Sequence, residues 1–463
     1  MRRIPRTRVS DGLAPNGDAH PDIRLAPMDQ SLYAQHKAIG RNLVLQVVWV
    51  YEHTIDFDGV RRFHHNLGCG LLGRRIERSP LPFGRHRWAS DGAPSDIDID
   101  QRPRPRAELS DWADERAQLP IDPESGPGWH LGAVELTDGS TAVSLVMSHY
   151  LIDGIGGVVA LIDAILGNTR DLGYPPPASR TRRRAVLQDA RQTARDAREV
   201  GRALVVAAKM ARQGWPNSAQ SASRPAASRG VEGDDHVLVP GITITIDPSE
   251  WDARAKALGG TSNTLTVGLA AKLGERMGRR RAGDGAVTLQ LPISDRTESD
   301  TRANAMLFAR VSIDPTRVTT DLRDARDAVK QALTALREKP DESMQVLWLA
   351  PFVPKRTLKR MADSMVDPDL PVFCSNFGDL GSVVNRLDGT PAEYATARVT
   401  NQGETREWLE KMGGEMTVQS LRLPESVVIS VNAYQPGAEN TKPALRELAS
   451  RTLMEFDLTG EID

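Results

Sequence analysis

Residues 147–157 read Met-Ser-His-Tyr-Leu-Ile-Asp-Gly-Ile-Gly-Gly, a histidine four residues ahead of an Asp-Gly pair, at the end of the apolar run 141–147. That run has the aliphatic, β-branched character of a buried strand, and Asp138-Gly139 before it is a two-residue hairpin signal that joins it to a second strand-like run at 133–136. Downstream, residues 156–166 are small and aliphatic and predict a helix, with Asp153 placed to cap it. His149 therefore stands in a strand-to-helix loop, where a neutral imidazole is suited to take a proton from a hydroxyl or an amine. Random placement of 9 His, 61 Asp plus Glu and 38 Gly would give this pattern about 0.1 times, so composition alone does not explain it.

Working outward, 42–51 reads as a strand and 58–72 as a helix. After Pro175-Pro176-Pro177 comes an Ala- and Arg-rich stretch, 180–212, whose Ala190, Ala194, Ala197 and Leu204 share one helical face while Arg191, Arg195, Arg198 and Arg202 surround it. Residues 216–235 have the Ser, Ala, Gly and Pro content of a linker. The second half opens on Ile242-Thr243-Ile244-Thr245-Ile246, a period-two strand, followed by the helix-start signature Asp247-Pro248-Ser249-Glu250. Further helices are expected at 263–277, 322–336 and 443–454, and strands at 287–293, 307–313, 372–375, 417–423 and 427–433. A chain of 463 residues exceeds the size at which one core keeps growing. Strands and helices mix in both halves without a βαβ period, which predicts an α+β protein of two lobes. The expected division is a loose 1–21, an N-terminal lobe at 22–174, the basic helix and linker at 175–235, and a second lobe at 236–463.

Charge and cysteine usage narrow the partners. A net charge of −2 gives no basic field for nucleic acid. Cys69 and Cys374 lie far apart without metal-ligand spacing, which suits a reducing, cytoplasmic setting. The basic start is not followed by a signal-length apolar segment before Pro21, and no run reaches the roughly 20 apolar residues that span a bilayer. The adjacent His64 and His65 point to different faces of their helix, which argues against a shared metal and for a solvated helix. The arginines of 180–212 suit either an anionic surface (lipid, an acidic carrier protein, coenzyme A phosphates) or pairing with Asp189, Asp196 and Glu199 on a solvated inter-lobe helix.

Ser148-His149-Tyr150-Leu151-Ile152-Asp153-Gly154 resembles the His-His-x-x-x-Asp-Gly signature of the superfamily that holds chloramphenicol acetyltransferase, peptide-synthetase condensation domains and bacterial wax ester synthase/diacylglycerol acyltransferases. Three more stretches agree in order: Gly259-Gly260-Thr261-Ser262-Asn263-Thr264, Leu291-Pro292-Ile293-Ser294-Asp295-Arg296 with Asn304, and Cys374-Ser375-Asn376-Phe377-Gly378. The resemblance spans about residues 25–457. Departures are Ser148 at the first His, Thr264 after Asn263, and Gly378-Asp379-Leu380-Gly381 without the Pro-Gly-Pro of the wax ester synthases.

The resemblance implies two chloramphenicol-acetyltransferase-like lobes in a V with a tunnel at their interface. It implies an acyltransferase that moves an acyl group from acyl-CoA or a phosphopantetheinyl carrier thioester to an alcohol or amine, without a covalent intermediate or a resident cofactor. His149 would be the general base. Asp153, Gly154 and Arg296 would support it, with Arg296 a partner for Asp153. Ser375, Asn376 and Asn263 would be oxyanion or substrate-positioning groups. Wax ester synthase-like chemistry leads; the alternatives are a condensation enzyme of peptide or polyketide biosynthesis and a non-catalytic binding module of the same fold. Either enzyme would meet an acyl carrier protein or work at a lipid surface through 180–212.

Overall fold

The computed structural model describes residues 23–92, 95–212, 235–297, 299–338, 343–364 and 366–463. The expected loose N-terminus and linker residues 216–234 lie outside the described residues. The first half runs α1 (Pro27–Ile39), β1 (Asn42–Tyr51), α2 (Phe57–Leu67), β2 (Arg74–Glu77), β3 (Arg87–Ser90), β4 (Asp98–Ile99), α3 (Leu109–Gln118), β5 (Trp129–Glu135), β6 (Thr141–Ser148), α4 (Gly154–Leu166), α5 (Arg182–Arg195) and α6 (Ala197–Arg212). The second runs β7 (Gly241–Ile246), α7 (Pro248–Ala257), α8 (Ser262–Arg276), β8 (Val287–Ser294), β9 (Met306–Ile313), α9 (Arg323–Glu338), α10 (Ser343–Val346), α11 (Lys355–Ser364), β10 (Val372–Asp379), β11 (Tyr394–Gln402), α12 (Arg406–Met412), β12 (Glu415–Arg422), β13 (Val427–Tyr434), α13 (Lys442–Glu455) and β14 (Glu461–Ile462).

Two mixed sheets organise these elements, one in each lobe. Among the described residues the first has the order β11-β1-β6-β5-β4 and the second β14-β7-β13-β12-β10-β8-β9. Local sequence explains much of this. In β6 every residue is buried, as a central strand requires, whereas β7 alternates buried Ile with half-buried Thr. Gly139 takes a φ of +87° in the hairpin that leads into β6, a conformation open to glycine. Asp247 caps α7 through Ser249 and Glu250, with Pro248 opening the helix, and Thr261 caps α8.

The sheets do not follow the halves of the chain. β11, from the second half, pairs antiparallel with β1 over Asn42 to Val50 and so completes the first sheet. Its Ala395 and Ala397 share an apolar cluster with Leu45, Trp49 and Met147 of the first lobe and Leu421, Leu423 and Val428 of the second. The lobes are thus joined by a strand and by common core.

Several sequence expectations shift. Helix α2 stops at Leu67 because Gly68 and the Gly-Cys-Gly turn follow it. The 180–212 stretch is two helices that meet at Asp196, whose carboxylate accepts from Arg24 and Arg85. Asp189 pairs with Arg180, and Glu199 with Arg202. The solvated-face reading of His64 is wrong: the ring is buried against Trp129, 5.1 Å between centroids. No helix among the described residues is long and apolar enough to cross a membrane.

Candidate active site

His149 leaves β6 directly, and its backbone is pinned from both sides. Its N–H donates to the Leu43 carbonyl at 2.9 Å, and its carbonyl accepts from Asn304 Nδ2 at 3.2 Å. The flanking residues are tied as well. Ser148 Oγ accepts from the Tyr150 N–H, and the Tyr150 hydroxyl accepts from Leu43 N–H and lies 2.7 Å from His36 Nδ1. Burial pushes the Tyr150 hydroxyl above its ordinary range and His36 down to about 4, so this pair stays neutral.

The imidazole of His149 is itself buried, 8% exposed, and its Nδ1 has no hydrogen-bond partner among the described residues. Burial lowers its pKa, against the opposing pull of the Asp153 charge, its own carbonyl and the Asn304 amide. The sign is favourable to a base: a lowered pKa keeps the ring neutral further into acid. We therefore expect the acid limb of kcat/KM to lie below 6.5, the ordinary histidine value. A limb at or above 6.5 in a pH–rate profile contradicts it.

Asp153 faces away from proton transfer. Its Oδ1 accepts from Gly156 N–H at 2.7 Å and caps α4, while Oδ2 accepts from Ala305 N–H at 2.8 Å and lies 2.9 Å from Arg296 Nη2. Arg296 also donates to the carbonyls of Asp300, Arg302 and Ala303. The same 303–305 segment is held by Asp29 of α1, which accepts from the N–H groups of Ala303 and Asn304. Asp29, Asp153, Ala303, Asn304 and Ala305 are buried, as is the Arg296 side chain, and the knot ties the histidine loop to the loop between β8 and β9 of the second lobe. Asp29 was not singled out in the sequence, since an isolated acid near a helix start gives no signal there.

On the second lobe, β10 presents alternate residues to opposite sides. Asn376 donates to Asn263 Oδ1 at 3.0 Å, both side chains being exposed on the side where α8 packs. Ser375 belongs with Phe373 and Phe377 on the inter-lobe side. Phe377 lies against Gly154: a Cβ there would collide with its ring. The sequence thus groups Ser375 with Asn376 and Asn263, whereas the structure joins the two asparagines and leaves Ser375 on another face.

One cavity opens between the lobes, and a second lies in the second lobe beside Arg41. The first is lined by Leu45, Met147, Gly154, Phe377, Ala397 and Leu421 among others and is almost wholly apolar. The second is lined by Arg41, Arg279, Phe373, Glu415 and Thr417 among others. Strand periodicity relates them to the histidine. On β1 the cavities touch Leu45 and the preceding Arg41, and Leu43, the partner of the His149 N–H, falls between. On β10 they touch Phe377 and Phe373, with Ser375 between.

This arrangement is the two-lobed fold shared by condensation domains and related acyltransferases. The chain is similar to the first condensation domain of the CDA synthetase, at 13% identity and a TM-score of 0.55 over 95% of this chain and 99% of that one. It is also similar to polyketide synthase associated protein 5 from Mycobacterium tuberculosis, at 15%, 0.53, 93% and 97%. A third likeness is to a wax ester synthase/diacylglycerol acyltransferase from Marinobacter aquaeolei VT8, at 14%, 0.53, 94% and 98%. No family model matches the chain, and no curated protein does. At these identities the likeness establishes the fold, and the chemistry rests on the site.

Proposed function

We propose that this protein is an acyltransferase that moves an alkyl-chain acyl group from a thioester, acyl-CoA or acyl carrier, to an alcohol or amine. One observation carries the reading: a buried imidazole, lowered in pKa and pinned by its backbone, sits between Met147 and Gly154, which both line the apolar cavity of the lobe interface. The neutral His149 takes the acceptor proton as the acceptor oxygen or nitrogen attacks the thioester carbonyl. The tetrahedral intermediate collapses with cleavage of the C–S bond, and the thiolate takes the proton back from the imidazolium. No acyl-enzyme is formed. Ser375, on the inter-lobe side of β10, is the side chain we assign to the developing oxyanion. The knot around Asp153 and Arg296 fixes the loop that carries the base. The acyl chain occupies the apolar cavity, as its lining requires.

The deciding experiment is a panel of acyl-CoA and acyl-carrier donors against long-chain alcohol, diacylglycerol and amine acceptors, read by thiol release and product mass. No thiol above background with any pair would leave the fold as a binding module. The cavity assignment has its own test. Ala397→Phe fills the apolar cavity and should shift donor preference from long toward short chains by about tenfold or more in relative kcat/KM. An unchanged chain-length profile in a folded variant excludes that cavity as the acyl site.

A further inference from the structure

Helices α5 and α6 carry nine Lys and Arg against three acids between Arg182 and Arg212, in a chain whose net charge is −2. In sequence these arginines suit either an anionic surface or pairing with Asp189, Asp196 and Glu199. The structure gives those acids other partners. Asp189 is buried and accepts from Arg180 and from Ser79 Oγ, Asp196 is held by Arg24 and Arg85, and Glu199 pairs with Arg202. Of the arginines in the two helices, Arg202 alone takes one of these acids among the described residues. The side chains of Arg183, Arg184, Arg191, Arg195, Arg198 and Arg212 have no hydrogen bond or ion pair among the described residues.

Most of these side chains share one side of the two helices. The Asp196 backbone stays in the right-handed helical region, φ −74° and ψ −7°, so the helical spacing carries through the junction. Steps of four and three residues lead from Arg183 through Leu187, Arg191, Arg195, Arg198 and Arg202 to Val205, and every one of them is exposed. Leu204 flanks Val205, and Leu187, Leu204 and Val205 are 57%, 57% and 70% exposed. Ala185, Asp189 and Ala203, on the other side, are buried, and α6 packs on α10. At 1.5 Å per residue the two helices present about 45 Å of outward surface on which unpaired guanidiniums alternate with aliphatic side chains.

We propose that this strip of α5 and α6 is a docking surface for an anionic phospholipid bilayer, on which the protein rests reversibly. The proposal stands apart from the thioester reading. Charge selects the occupant: a row of cations whose neighbouring acids are already engaged is complementary to a continuous negative plane, and two copies of the strip would repel each other. The aliphatic side chains select lipid among anionic occupants, because they gain by leaving water at the headgroup boundary. Single-stranded nucleic acid is a poor fit, since residues 182–212 hold no aromatic side chain on which a base could stack. With Leu and Val at the contact, insertion is shallow and the guanidiniums supply most of the attraction, so binding falls steeply with salt.

Flotation of the full-length protein with vesicles tests this. The protein should rise with vesicles of phosphatidylcholine and phosphatidylglycerol at low salt, stay behind at high salt, and stay behind with phosphatidylcholine alone. Arg191→Gln, Arg195→Gln and Arg198→Gln combined should lower partition by about a hundredfold, and the three Glu substitutions by more. Both sets should melt with the wild type, since these arginines have no partner to lose; the Gln set decides if the Glu set melts early. Leu204→Ser with Val205→Ser should weaken binding by about fivefold and leave its salt dependence unchanged. Arg326→Glu, Lys330→Glu and Arg337→Glu on α9, the same change in net charge on another helix, should leave partition within about twofold of wild type. The proposal is overturned if the protein does not float with anionic vesicles, if the arginine variants float as the wild type does, or if the α9 variant loses as much. Capture of an acidic carrier protein that anionic vesicles do not displace overturns it, and so does a dimer in light scattering that Leu204→Ser with Val205→Ser dissolves.

Discussion

Replacing His149 with alanine is expected to lower thioester turnover by roughly a hundred- to ten-thousandfold, the usual span for a positioned general base, with little change in melting temperature. The small effect on stability follows from its contacts. The imidazole Nδ1 has no hydrogen-bond partner among the described residues, and the bonds that hold the residue run through its backbone to Leu43 and from Asn304, which alanine retains. Removing a poorly paired polar ring therefore withdraws little that the fold uses. His149→Gln adds a check, since it keeps a polar side chain of similar reach and lacks a basic nitrogen. Thiol release measured under single-turnover conditions, alongside a thermal melt, decides the matter. A variant that turns over within about tenfold of wild type removes His149 from the chemistry. One that loses activity together with its fold shows that the residue serves structure.

How much of this was legible in the sequence varies with the physical range of each interaction. The hairpin, β6 and the helix after Asp153 are written locally: a turn pair, an apolar run, a cap and a row of small residues are neighbours in sequence. The same holds for the Ile-Thr alternation of β7. β11 was missed, because Tyr394–Gln402 mixes exposed, half-buried and buried positions and takes its partner, β1, from more than 340 residues away. Its burial is set by two lobes at once, which no local period reports. The break at Asp196 was also hidden, since the helical spacing of alanines continues through it while Arg24 and Arg85 capture its carboxylate. Within the site, the histidine and the ordered Arg296 and Asn304 stretches could be named, but Asp29 and Phe377 could not. Their significance lies in what faces them across the lobe interface.

Replacing Asp153 with alanine should be the most destabilising change at the site. Three demands converge on that carboxylate: the cap of α4 through Gly156, the Ala305 N–H, and the charge of Arg296. The side chains of Asp153 and Arg296 are 3% and 5% exposed, so water cannot replace the lost partner. Removing one member of such a pair leaves an uncompensated buried charge, which typically costs about 3–5 kcal/mol, and a lost helix cap adds about 1 kcal/mol. In a lobe of this size that corresponds to a fall in melting temperature on the order of 10 °C. Asp153→Asn keeps the shape and the acceptor for one N–H but still strands the guanidinium, so it should fall between wild type and alanine. The pair is separable from the cap by a double-mutant cycle. If the charge is the main cost, Arg296→Gln combined with Asp153→Asn should recover part of the loss that Asp153→Asn shows alone. Strict additivity of the two in urea unfolding would mean that the ion pair contributes little and that the hydrogen bonds to Gly156 and Ala305 hold the loop. Activity should fall with stability in the single variants, because a histidine loop that is no longer tied to 303–305 cannot keep the imidazole in place for transfer. Acid–base behaviour distinguishes this from a direct catalytic role. A positioning carboxylate lost as Asp153→Asn lowers kcat and removes one contribution that raises the His149 pKa, so the acid limb should move further into acid. A limb that moves toward neutral pH instead would show that Asp153 does not act on His149 in this way.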